Sequence, residues 1–291
     1  MVPNQIGDTL RPAPAVLALV LAAGLATGCS DAVDEMLSPR PTGCFIGDTA
    51  EPLHLTAEQT FHASTIAAVG LRDGMSERAV AVAIATAFQE SKLANIDYGD
   101  RDSLGLFQQR PSVGWGTEEE ILDPVYASFK FYEKLRRTDG WEDMAIGDAA
   151  QAVQISAHPD LYEQWEDEGL IVAAAFAGGE ETGVSCIGGT AGADAPDADA
   201  LAEAYAYQWG VEVAGVEGEV VTIAAEDAVA GWNRASWAVA KSYEFDIASV
   251  EYAGARWEPG EDGWARPEDE VAEVAAADES TVVVTLGTSQ E

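Results

Sequence analysis

The stretch Ser76–Pro111, SERAVAVAIATAFQESKLANIDYGDRDSLGLFQQRP, decides how this chain is read. Ser76 has the chemistry of an N-cap, and from Glu77 onward good helix formers carry an apolar row at Val80, Ile84, Ala87 and Phe88. The spacing predicts a mostly buried helix. Glu90 sits near its end and follows Ala83 and Ala87 at the i, i+4, i+7 interval, so its carboxylate shares a side with small apolar residues. Apolar surroundings disfavour the charged form and raise a carboxyl pKa, which suits a general acid that holds its proton near neutral pH. A Glu that has merely reached solvent at a helix end gives the same pattern. Beyond Ser91 the chain breaks into a polar loop, Asn95–Ser103, and returns to an apolar run at Leu104-Gly105-Leu106-Phe107-Gln108.

Glu90-Ser91 at the end of a buried helix, followed by Gly105-Leu106-Phe107-Gln108, resembles the lysozyme-like domain of soluble lytic transglycosylases and goose-type lysozymes. The wider wording, AFQESKL, DYGDRDSLGLFQQRPSVGWGT, DPVYA and AAQAVQISAHPDLYEQW, is similar to a variant found in actinobacterial secreted lipoproteins and phage tail lysozymes. The resemblance covers roughly Leu55 to Trp165. It departs from the transglycosylase pattern at Asp102-Ser103, where Gly-Ala is expected, and within Ala150–Gln154, where a Tyr-Asn pair lines the family's cleft. The resemblance implies cleavage of the bond between N-acetylmuramic acid and N-acetylglucosamine in peptidoglycan. In lytic transglycosylases one Glu protonates the glycosidic oxygen and then takes a proton from the sugar's own 6-hydroxyl.

A hydrolase instead wants a second acid to position water, and Asp97, Asp100 and Asp102 are the candidates. In a chain so rich in carboxylates they read equally as a solvated loop, and the ligand spacing of a calcium loop is incomplete. Gln108 and Gln109 are candidates to hydrogen-bond N-acetyl groups, Gln108 by the motif match. Tyr98, Trp115, Tyr126 and Trp141 offer ring faces for sugars, a role that competes with ordinary packing. His54, His62 and His158 are too far apart to suit a triad or a metal cluster, and neither Cys44 nor Cys186 has ligands spaced for zinc, so no metal or cofactor is expected.

The 51 acidic residues against 15 Lys and Arg give a formal net charge of −36, which argues against nucleic-acid binding and against electrostatic binding to anionic membranes. The 47% hydrophobic content still predicts a folded chain. Only four residues are Lys, and so acidic a surface fits export into salty surroundings, where self-repulsion is screened.

Arg11 precedes an apolar run from Ala13 to Ala26, shorter than the roughly 20 residues of a membrane-spanning helix, so residues 1–29 read as a cleaved signal. Leu25-Ala26-Thr27-Gly28-Cys29 resembles a bacterial lipobox, which implies lipidation of Cys29 and an anchor on the outer face of the membrane. An ordinary signal peptide with a chance Cys is the alternative. Cys44 and Cys186 then form an even pair in an exported chain and predict a disulfide closing a loop of about 140 residues, rather than two free thiols.

Residues 30–44 read as a tether, 45–186 as the mainly α, lysozyme-like domain and 187–199 as a linker rich in Gly, Ala and Asp. Residues 200–291 read as a small α/β domain with strands at 220–224, 247–252 and 281–286 and a helix from Glu226. Regular structure is expected to begin near Leu55, where Thr56 and Gln59 form a capping-box signature. Asp123-Pro124 and Asp148 mark further helix starts, and Asp160 opens a last helix running to about Phe176. Trp257 and Trp264 are either a sugar platform or packing. Two functions therefore stand: an exported peptidoglycan glycosidase acting through Glu90, or a non-catalytic peptidoglycan-binding lipoprotein using the same cleft. Glycan strands are the partner in both.

Overall fold

Thr56 Oγ1 accepts a hydrogen bond from Gln59 N and Gln59 Oε1 accepts one from Thr56 N, so the capping box forms and opens α1 (Ala57–Arg72). Asp73-Gly74 turns the chain, Ser76 caps α2 (Glu77–Ser91) through Ala79 N, and every residue of α2 from Ala79 to Phe88 is buried. A helix apolar on all sides belongs at the centre of a fold. In the computed structural model, which describes residues 42–187, 197–266 and 279–287, the other elements are assembled around it. The proposed signal, Cys29, the tether up to residue 41 and residues 188–196 of the linker lie outside the described residues.

The alternating alanines of α2 leave room for close approach. Its nearest neighbour is α6 (Glu166–Ala177), and a Cβ on Gly169 would stand 2.8 Å from Ala81 O and 3.2 Å from Ala85 Cβ. Between these two lie α3 (Glu118–Ile121), α4 (Pro124–Arg136) and α5 (Ile146–Gln154). Asp123 caps α4 by accepting from Val125 N, with Pro124 at the first helical position. Asp148 is not a cap. The helix begins two residues earlier, at Ile146 after Ala145, because Glu166 Oε1 reaches across from α6 and accepts from Gly147 N at 2.7 Å. The helix expected from Asp160 also starts late: Pro159–Leu161 and Glu163–Trp165 are 3₁₀ turns, and α6 follows them.

Structure begins ahead of Leu55. Strand β1 (Gly43–Ile46) pairs antiparallel with β2 (Leu53–Leu55) on one side and with β3 (Val184–Ile187) on the other. Cys44 lies directly opposite Cys186, and the two form the expected disulfide across 142 residues. A strand whose partner is so remote carries little local signal, which is why β1 and β3 were not visible in the sequence.

The C-terminal part comprises α7 (Ala198–Trp209), α8 (Ala228–Ala240), the short α9 (Ser242–Phe245) and a six-stranded antiparallel sheet. The strands are β4 (Gly215–Glu217), β5 (Val220–Ala224), β6 (Ile247–Tyr252), β7 (Ala255–Trp257), β8 (Trp264–Ala265) and β9 (Thr281–Leu286). Their order is β4-β5-β9-β6-β7-β8, which puts the last strand in the interior. Asp227 caps α8 through Ala230 N, so the helix opens just after the expected Glu226. Trp257 is fully buried, and Trp264 Nε1 donates to Val184 O at 2.8 Å.

The described part of the chain is thus of mixed α/β class, with nine α-helices and two antiparallel sheets among its residues. One buried cluster runs from Cys44 to Leu286. Its polar centre is Lys241, fully buried, whose Nζ donates to Phe61 O at 3.1 Å and Thr65 Oγ1 at 2.9 Å on α1 and sits 3.5 Å over the Phe61 ring. Thr65 Oγ1 and Trp237 Nε1 both donate to Gln208 Oε1, so α1, α7 and α8 are joined in one hydrogen-bonded group. Among the described residues no helix is long and apolar enough to cross a membrane.

Candidate functional site

Glu90 lies on the last turn of α2, half-buried. Tyr162 Oη donates to its Oε1, and Gln154 hydrogen-bonds the same carboxylate. Burial pushes the Glu90 pKa above the ordinary glutamate value, and the bonds from Tyr162 and Gln154 hold it partly in check. Burial, together with the neighbouring Glu90 carboxylate, raises the Tyr162 phenol as well, so Tyr162 stays a donor.

The residue after Glu90 fastens the second half of the site. Ser91 Oγ donates to Ala87 O at 3.1 Å in its own helix and to Leu106 O at 2.8 Å. Lys92 and Leu93 then take left-handed backbone, φ +59° and +58°, which ends the helix abruptly. Gly105 has φ +73°, and a Cβ there would lie 2.7 Å from Ile121 O, so this position in Gly105-Leu106-Phe107-Gln108 demands glycine. Leu104 and Gln109 close the loop by exchanging backbone bonds of 2.9 and 3.0 Å.

Phe107 O at the top of this loop accepts from Gln154 Nε2 at 2.7 Å. Gln154 therefore ties the Gly-Leu-Phe-Gln loop to the Glu90 carboxylate. Gln108 stands beside that anchor at φ +47°, a conformation non-glycine residues seldom adopt, and its Nε2 donates to Tyr98 O at 3.2 Å and Gly105 O at 3.4 Å. Gln109 points the other way. It is 1% exposed, and its Nε2 donates to Ala127 O on α4, which makes it a brace between loop and helix.

Asp97, Tyr98 and Asp100 are exposed on the preceding loop. Asp102 is engaged: its carboxylate accepts from Ser112 N at 2.8 Å and from Arg110 Nε at 2.7 Å, and Ser112 first, then Arg110, hold it far below the usual carboxylate range. Trp115 is half-buried with Lys134 Nζ 4.6 Å from its ring centroid, and Tyr126 Oη donates to Trp115 O at 3.3 Å. Trp141 is buried. His54 hydrogen-bonds Thr42 O, His62 is buried on α1 and His158 is exposed, so the three histidines do not meet. Among the described residues no group of His, Cys, Asp and Glu is arranged to hold a metal ion.

The structure therefore gathers Glu90, Ser91 and the Gly105–Gln108 loop, and adds Tyr162 and Gln154, to which sequence reasoning gave no role. Both come from elements far along the chain. Both lie in AAQAVQISAHPDLYEQW, which carries part of the resemblance, and Ala150–Gln154 is where the family's cleft-lining pair is expected, but nothing in the sequence marked either residue as a partner of Glu90. A chemical capability follows from the group: a carboxyl whose pKa is raised by burial and which is held by two neutral donors is suited to release and regain a proton. No protein-family model matches the chain, and no curated protein matches it either.

Proposed function

We propose that this chain is an exported peptidoglycan-cleaving glycosidase of lysozyme-like type, with Glu90 as its general acid. The observation that carries the reading is the Glu90 carboxyl, raised in pKa at the end of a buried helix and tied through Gln154 to the Gly105-Leu106-Phe107-Gln108 loop. Cleaving a glycosidic bond needs a proton on the leaving oxygen, and a carboxyl whose pKa is raised by burial is suited to supply it. Among the three candidate second acids, Asp102 is held by Arg110 and Ser112 while Asp97 and Asp100 are exposed on the loop, and the scheme taken here is the one that needs Glu90 alone. Glu90 gives its proton to the bridging oxygen as the C1–O bond breaks. The 6-hydroxyl of the muramic residue then bonds to C1, and its proton returns to Glu90, leaving an anhydro end. The Cys44–Cys186 disulfide supports an oxidising, extracytoplasmic location, with lipidation of Cys29 as the proposed anchor.

The test is digestion of purified peptidoglycan by the chain without its signal and with Cys29 replaced, over a range of salt, beside Glu90→Gln, with products read by mass spectrometry. Activity in the parent and its loss in the variant, by about 10²-fold or more, identifies the acid. An anhydro-muramyl product assigns a lytic transglycosylase and a reducing end a muramidase. If neither protein cuts and both bind glycan equally, the catalytic reading fails and a binding module takes its place.

A further inference from the structure

Helix α5 ends on the residue that ties Glu90 to its loop. Gln154, held between the Glu90 carboxylate and Phe107 O, is its last helical residue, and Ile155 follows as the cap at φ +56° and ψ +44°. Glycine or asparagine suits such a cap. The Cβ of any L-residue crowds the next carbonyl in this conformation, and β-branched residues are its rarest occupants. Elsewhere burial compensates: Leu93, at φ +58°, is fully buried, and Ala253, at φ +49°, packs against the core. Ile155 is 75% exposed. Neither backbone preference nor burial accounts for an isoleucine here.

Hydrogen bonds fix the conformation from both sides. Ile155 N donates to Gln151 O at 2.8 Å, Gln151 Nε2 donates to Ser156 O at 2.9 Å, and Ser156 Oγ accepts from His158 N at 3.2 Å. The Ser156 side chain also hydrogen-bonds that of Tyr162. Ile155 thus stands between Gln154, which bonds the Glu90 carboxylate, and Ser156, which bonds the other donor to that carboxylate. Consecutive Cα atoms are about 3.8 Å apart, so a strained, solvent-facing aliphatic residue is held at the edge of the candidate site.

The chemistry of the proposed substrate says what this side chain can meet. Glu90 protonates the oxygen leaving C1 of the muramic residue, so that sugar lies against the carboxyl and carries its lactyl-peptide stem on C3. Flat sugar faces take aromatic rings, whereas a single branched aliphatic chain fits a methyl group. We propose that Ile155 is a substrate-binding residue that packs on the methyl of the first alanyl unit of the stem peptide. This rests on the peptidoglycan reading of the Glu90 site.

The experiment compares soluble glycan strands bearing stems with the same strands stripped by an amidase, using the signal-free chain, Ile155→Asn and Ile155→Val. Ile155→Asn is expected to raise KM about tenfold on stem-bearing strands with kcat kept, and to leave stripped strands unaffected. Asparagine tolerates left-handed backbone, so this variant should also melt higher than the parent. Ile155→Val, still aliphatic and still strained, should keep the parent KM. An equal change on both strands, no change on stem-bearing strands, a melting temperature no higher than the parent's, or a loss in Ile155→Val as large as in Ile155→Asn overturns the proposal. The same strands are titrated calorimetrically onto Glu90→Gln with and without Ile155→Asn. If the parent cuts neither strand, the glycosidase reading alone fails. The affinities then decide for Ile155: a tenfold loss confined to stem-bearing strands supports its role, and no such loss overturns it.

Discussion

Removing the Tyr162 hydroxyl moves the Glu90 proton in a defined direction. That hydroxyl donates to the carboxylate and stabilises its charged form, so Tyr162→Phe raises the Glu90 pKa further. A general acid works while protonated. The alkaline limb of the pH–rate profile of the proposed glycosidase should therefore shift to higher pH in Tyr162→Phe, and a limb that stays or moves down contradicts the role given to this bond. Gln108 and Gln109 separate by stability. Gln109→Ala leaves Ala127 O without its buried partner and is expected to cost about 1–3 kcal/mol in chemical denaturation, whereas Gln108→Ala, on the loop surface, should cost clearly less. At this scale the position of Glu90 and Ser91 at the end of a buried helix was legible, but the helix period alone did not separate a half-buried Glu90 from one in solvent; the resemblance singled it out. The sequence was not legible for Tyr162 or Gln154. Their meaning lies in contacts with residues 72 and 47 positions away, which no local period encodes.

Helices with side-chain caps could be read almost to the residue. Thr56, Ser76 and Asp123 open α1, α2 and α4 as expected, since cap chemistry is local. Asp148 misled for the opposite reason: Glu166, from another helix, serves the start of α5, a tertiary substitute for a cap. Thermal melts should reflect this. Thr56→Ala is expected to cost about 1 kcal/mol, and Asp148→Ala, in the first turn without a cap bond, a few tenths. Gly169→Val should be far worse than either, because the α2–α6 contact has no space for a side chain beside Ala81 and Ala85. Strands β1 and β3 escaped notice because a four-residue strand is defined by its partner.

For the molecule as a whole, the buried cationic side chains set a pH dependence. Burial, and then Lys241, lower the His62 pKa from 6.5 to about 4. The unfolded chain therefore binds a proton that the fold refuses, and the contribution is full above pH 6.5 and lost as pH falls toward 4. It amounts to about 3 kcal/mol, and His62→Phe should flatten this acid limb in denaturant titrations across that window. Burial also lowers Lys241 well below its ordinary value, so its contribution grows as pH rises toward 10.5, and Lys241→Met should remove that rise. The net charge of −36 adds self-repulsion, so the melting temperature is expected to climb between 0.1 M and 1 M salt, where the screening length falls from about 10 Å to about 3 Å.

Strand β9 lies between β5 and β6, inside the sheet and not at its rim. During synthesis, a nascent chain that has not yet delivered Thr281–Leu286 has two open strand edges where its sheet should be continuous, and open edges recruit other chains. Completion of that sheet waits for the delivery of Thr281–Leu286. Until then the facing edges of β5 and β6 stay open to pairing with other chains.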